Sequence, residues 1–165
     1  MGQQQLLLLV LGIVIVGLAV VVGIQAFGEN QRKANNDALV NDGIRIASDA
    51  QAWALKPTAF GGGDGDFLSG ADDMTLQDLG YQPDANDVYS NVNGNFEVTV
   101  TDANNLTIEG CSRSAFGNQN VAADGDDPDI QDSFNKITVT VGGFGAGDIT
   151  TASEAATAGD CPTPA

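Results

Sequence analysis

Residues 1–28 read MGQQQLLLLVLGIVIVGLAVVVGIQAFG, and residues 29–57 continue as ENQRKANNDALVNDGIRIASDAQAWALKP. From 6 to 24 every residue is Leu, Val, Ile, Ala or Gly. Wound as an α-helix, that run is about 28 Å long, close to the hydrocarbon thickness of a bilayer. No turn cluster interrupts the chain until Lys56-Pro57. After residue 28 the pattern changes from uniformly apolar to striped: Leu39, Gly43, Ile46, Ala47, Ala50, Trp53 and Ala54 recur at i, i+3, i+4 spacing. The two patterns predict one helix from near residue 2 to near residue 55, roughly 80 Å long, apolar all round in its first half and on one face in its second. Pro57 ends it.

The segment does not fit a cleaved secretory signal, which would carry a basic region, a shorter apolar run and a small-residue cleavage site. Here no basic residue precedes the run, and helical patterning continues beyond it. Within it, Gly12, Gly17 and Gly23 each cost about 1 kcal/mol of helix propensity relative to alanine. Glycine at such positions permits close helix packing or local unwinding, and is also common in membrane helices generally.

Charge divides the chain sharply. The 165 residues hold 22 acidic against 6 basic side chains, a net charge of -16, and none of these lies before Glu29. An acidic body of this kind repels phosphate backbones and anionic headgroups, so no direct nucleic-acid contact is expected of it. The organisation read from these shifts is a hydrophobic helix at 1–28, its amphipathic continuation at 29–56, and an acidic β-rich domain at 57–165.

Residues 57–80 are a turn-rich connection, with a short helical piece expected near 74–79. Asn93-Gly94 is a hairpin signal, residues 96–101 and 106–109 alternate around the turn chemistry of 102–105, and residues 136–141 (KITVTV) alternate again. An antiparallel meander of three or four strands follows, with Phe96, Val98, Val100, Leu106, Ile108, Ile137, Val139 and Val141 on its inner face. One face of such a sheet needs a cover. The helix stripe supplies it, with Leu39, Ile46, Ala50 and Trp53 as the packing residues, giving an α+β fold.

Cys111 and Cys161 are the two cysteines. Paired, they close a loop of roughly 50 residues, remove denatured-state entropy worth about 4 kcal/mol and suit an oxidising compartment; the alternative is two separate thiols. A bridge would tether the Gly-, Ala- and Thr-rich tail at 142–165, which would otherwise drift.

The chain has no histidine, which removes His-based triads and most zinc sites. GGFGAG at 142–147 lacks the GK[ST] ending of a phosphate loop. Near pairs among so many carboxylates arise by chance, so they carry no glycosidase reading. The best calcium candidate is Asp124, Asp126, Asp127 and Asp129 with Asp132, but Pro128 breaks the EF-hand pattern, and a solvated acidic loop is the better reading. Asn105-Leu106-Thr107 is a glycosylation sequon. No catalytic residue, resident metal or cofactor is assigned, and the chain is not read as an enzyme.

An N-terminal apolar segment that runs into an amphipathic half-helix, followed by a β-rich domain with a late cysteine pair, resembles the type IV pilin family and its pseudopilin relatives. The resemblance covers the whole architecture and rests most on residues 1–56. It implies storage in the inner membrane, assembly by pilus machinery into an extracellular helical filament of identical subunits, and a processed, methylated first residue at Met1; an initiator methionine is the alternative. Adhesion, motility and DNA uptake are roles known in the family. The family usually has a glutamate at the fifth position, where this chain has Gln5, which can accept a hydrogen bond from a neighbouring ammonium but cannot neutralise it. Met1, Gln5, Gly12, Gly17 and Gly23 are the expected assembly residues. Competing readings are a single-pass membrane protein with an acidic ligand- or calcium-binding ectodomain, and a minor pseudopilin at the tip of a secretion system.

Overall fold

The computed structural model describes residues 2–69, 72–113 and 134–165. The helix α1 runs Gly2–Ala54. Contacts divide the chain into two compact units, Met1–Ala34 and Asn35–Ala165. The first consists of the apolar stretch of α1 and its polar extension, where Lys33 and Glu29 form an exposed pair one turn apart at 3.9 Å.

In the second unit, α1 covers an antiparallel sheet. Its strands are β3 (Tyr89–Ser90), β4 (Gly94–Asp102), β5 (Asn105–Ser112), β6 (Phe134–Val141) and β7 (Ile149–Ala156), in that spatial order. The short strands β1 (Leu68–Ser69) and β2 (Asp72–Asp73) form a separate two-stranded ribbon. The pleat sends alternate residues inward: Leu106, Ile108 and Gly110 of β5 stand opposite Val141, Val139 and Ile137 of β6, and all of these apolar side chains are buried. Phe96 is buried, while Val98 and Val100 are half-buried at the margin. A register shift between Val100 and Asp102 precedes the β4–β5 turn.

The α1 stripe meets this face as its spacing requires. Leu39, Ile46, Ala47, Ala50 and Ala54 are buried in the core, and Trp53 packs on it half-buried. The helix comes close to the sheet at Gly43, where an added Cβ would lie 2.7 Å from Ile137 Cδ1 and 2.9 Å from Val139 Cγ2. The stripe therefore needs a glycine there for proximity.

Among the described residues the sheet has five strands, against the three or four expected. β3 is only two residues long, and β7 (ITTASEAA) is exposed along most of its length, so neither shows apolar alternation. β7 nonetheless pairs with β6 from Phe134↔Ala156 to Val141↔Ile149. The tail, expected to depend on the Cys111–Cys161 bridge for its tether, is thus also held as an edge strand. The helical piece expected near 74–79 is instead a set of tight turns, in which Asp78 Oδ2 accepts from both the backbone N–H and the hydroxyl of Thr75.

Asn93-Gly94 lies in the hairpin expected of it, in the connection between β3 and β4. The turn is closed by Asn91 N–H donating to the Gly94 carbonyl, and Gly94 opens β4 without a positive φ. What demands glycine is space, since a Cβ there would overlap the Cys111 carbonyl and reach Leu39.

Candidate assembly surface and its anchors

The apolar run of α1 is not buried by any of the described residues. None of its most hydrophobic 18-residue window is buried, and the mean hydropathy of that window is 3.2. Side chains on every side of the helix are open, from Leu6 at 67% through Val10 at 49% to Ile24 at 67% exposed. By length and composition this helix can cross a membrane.

A methyl added at Gly12, Gly17 or Gly23 would meet nothing within 4 Å. At about 100° per residue, Gly12, Gly23 and Gln5 fall within about 20° of one another, whereas Gly17 lies roughly 140° away. The helix therefore groups three of the expected assembly residues on one face and sets Gly17 on another. Ala19 and Ala26 lie within roughly 40° of Gly12 and extend the small-residue face. The helical period was the signal for those two alanines. Met1 lies outside the described residues.

The second unit is tied down at its tail. Cys111, buried near the end of β5, is bonded to Cys161 at a Cα–Cα distance of 5.7 Å. Beyond the bridge, the Asn86 amide donates to the Thr163 carbonyl at 3.1 Å and the Asp84 carboxylate accepts from Ala165 N–H at 2.6 Å. Desolvation raises the Asp84 pKa, but backbone N–H bonds from Ala165, Val88 and Asn86 outweigh it and hold the carboxyl below its ordinary range. The hydroxyl and backbone N–H of Thr157 do the same for Asp160. Asp102 is lowered by the Asn105 side chain, which donates to both its oxygens, and by Asn104 N–H.

Gly142–Gly147 forms no phosphate cradle. The buried Gln51 amide donates to the carbonyls of Gly143 at 2.8 Å and Gly145 at 3.1 Å, pinning this loop to α1. Phe144 adds a ring contact with Phe67. On the other flank of the α1 stripe, about 160° round the helix from Gln51, Tyr81 donates to Asp49 Oδ2 at 2.6 Å. Burial, this bond and the Asp49 charge together push the phenol well above its usual pKa.

A cavity of about 240 Å³ sits beside β4, lined by Asp73, Met74, Thr75, Leu76, Asp87 and residues 98–100. Its lining offers two carboxylates and two hydroxyls with no cationic side chain among them. No group of three metal-ligating side chains occurs among the described residues. The calcium candidate, Asp124 through Asp132, falls outside them. Asn105 of the sequon is half-buried and engaged with Asp102.

No family model, curated protein or solved structure matches the chain.

Proposed function

We propose that this chain is a structural subunit of an extracellular filament of the type IV pilus kind, built by helical association of identical copies through the apolar stretch of α1. The observation that carries the reading is that no residue of the stretch's most apolar window is buried by the described residues, whereas the stripe of residues 39–54 is buried in the core of the second unit. Such a helix needs surroundings that the described residues do not supply. The membrane provides them first, and neighbouring helices provide them after assembly.

Transfer from lipid to a helix bundle exchanges one dry environment for another, so the preference must come from close packing and interhelical hydrogen bonds. The face shared by Gly12, Ala19, Gly23 and Ala26 lets backbones approach. Gln5 on that face supplies an amide for a neighbouring helix end. A neutral amide there is also less costly to desolvate than a carboxylate. The acidic sheet domain then forms the filament exterior.

A membrane anchor carrying an acidic ectodomain would present the same exposed helix, and a minor tip pseudopilin would differ mainly in copy number. Electron microscopy of material sheared from the cell surface separates them. Helical fibres made mostly of this chain support the proposal. Recovery of the chain solely as a detergent-soluble monomer overturns it, and a few copies at fibre ends would mark a tip subunit.

A further inference from the structure

Asn93-Gly94 is the one Asn-Gly pair in the sequence. In a flexible chain this pair is chemically labile. The glycine nitrogen loses its proton to base and attacks the asparagine side-chain carbonyl carbon. A new C–N bond closes a five-membered succinimide, and the carboxamide nitrogen leaves as ammonia. Water then opens the ring to aspartate or isoaspartate. Glycine favours the reaction because it leaves the attacking nitrogen unshielded and the backbone free to rotate.

Every group in that reaction is held here. Gly94 N–H donates to Asn91 Oδ1 at 2.9 Å, and Asn93 N–H donates to the same oxygen at 2.8 Å. The Asn93 carboxamide, which would become the leaving group, donates to Asp42 Oδ2 at 2.7 Å. That oxygen also takes the Asn91 carboxamide at 2.9 Å, which fixes the oxygen that restrains Gly94. The Asn93 carbonyl accepts from Asn35 at 3.1 Å. Gly94 itself is buried against Cys111 and Leu39, so the rotation that would bring its nitrogen to the Asn93 side chain is blocked by packing as well.

The geometry points to Asn93-Gly94 as a latent deamidation site that the fold holds shut through Asp42 and Asn91. Opening it would be irreversible and self-reinforcing. The product carboxylate at position 93 would face Asp42 where an N–H···O bond stood, and like charges in hydrogen-bond contact repel. The turn between β3 and β4 would then lose its hold on α1.

The test uses the full chain, kept in one mildly alkaline buffer either folded or unfolded in urea, with aspartate and isoaspartate at position 93 quantified by peptide mass spectrometry. The folded protein should react at least roughly tenfold more slowly, the factor associated with losing one hydrogen bond to a charged group. Asp42→Ala and Asn91→Ala, checked for folding by circular dichroism, should move the folded rate towards the unfolded one. Asp42→Asn, which keeps an acceptor oxygen, should fall between Asp42→Ala and the unsubstituted protein. Equal rates in the folded and urea-unfolded protein overturn the inference. So does a folded Asp42→Ala variant that reacts no faster than the unsubstituted chain. Should Asp42→Ala fail to fold, the Asp42→Asn variant and the folded-against-urea comparison still decide.

Discussion

The two halves of α1 present the same secondary structure to opposite ends. Residues 35–54 place their apolar side chains on one stripe and bury them against the chain's own sheet. Residues 6–24 are apolar on all sides and bury none of them. A stripe can be satisfied by one neighbour, whereas a helix apolar all round needs to be surrounded. The first half therefore reports on what lies outside this chain, and the second on how the chain folds.

The comparison breaks most visibly where the second unit loses its covalent tie. Reducing Cys111–Cys161, or substituting Cys161→Ser, should lower the stability of the second unit by about 4 kcal/mol on loop-closure grounds. Membrane retention through α1 should stay unchanged. Chemical denaturation followed by tryptophan fluorescence measures the first effect, since Trp53 packs on the core. Membrane fractionation measures the second, and loss of retention would show that the halves are coupled.

The next contrast uses one substitution in both halves. Ile46 is 1% exposed, and Ile46→Ala should destabilise the second unit by about 2–5 kcal/mol through lost transfer energy and a cavity. Ile15 is 58% exposed, and Ile15→Ala in the detergent-solubilised monomer should change stability by no more than about 0.5 kcal/mol. Equal effects at the two positions would mean that the first half has a partner within the chain.

Sequence periodicity revealed the long helix, its stripe and the inner-face residues of β4, β5 and β6, because burial on one face leaves a readable pattern. Val98 and Val100 lie on the inner face expected of them but only half-buried, since β3 pairs with β4 no further than Phe96 and leaves these residues on an open edge. β7 escaped because an edge strand exposed on both faces has no reason to alternate; its pairing comes from backbone bonds to β6. The Cys111–Cys161 bridge was legible only as one of two choices. Gln51 was invisible as an anchor, since its partners are carbonyls 92 and 94 residues away and carry no side-chain signature. On the assembly face, Gly17 parted from Gly12 and Gly23 once the helical angle was applied, which residue type alone does not reveal.

A smaller effect sharpens the functional side of the comparison. Gly12→Leu would remove a proposed close-approach point without disturbing the described residues, none of which lies within 4 Å of a Cβ at that position. It should leave the thermal midpoint of the second unit unchanged and reduce sheared filament mass, through a packing change on the order of 1 kcal/mol per helix contact. Gly17→Leu, on a different face, should act differently. Identical losses from both substitutions would count against a single packing face.

The smallest expected effect is a response to pH, and it too should separate the halves. No ionisable side chain occurs from residue 2 to residue 28, so acid cannot change the charge of the apolar helix. In the second unit, Asp84, Asp102 and Asp160 have folded pKa values below their ordinary range. A depressed carboxylate stabilises the fold above its unfolded pKa, and that contribution disappears as pH falls through the folded one. The second unit should therefore hold its melting temperature down to about pH 4 and lose stability progressively below it. Because Asp84 binds Ala165 and Asp160 binds Thr157, the loss should begin in the tail. Tyr81 has the opposite sign: its raised pKa means a contribution fully present below about pH 10 and lost as pH climbs further. Thermal scans of the unsubstituted protein and of Asp84→Asn check the acid limb. The variant should start less stable and show a shallower decline, and an unchanged slope would remove Asp84 from the account.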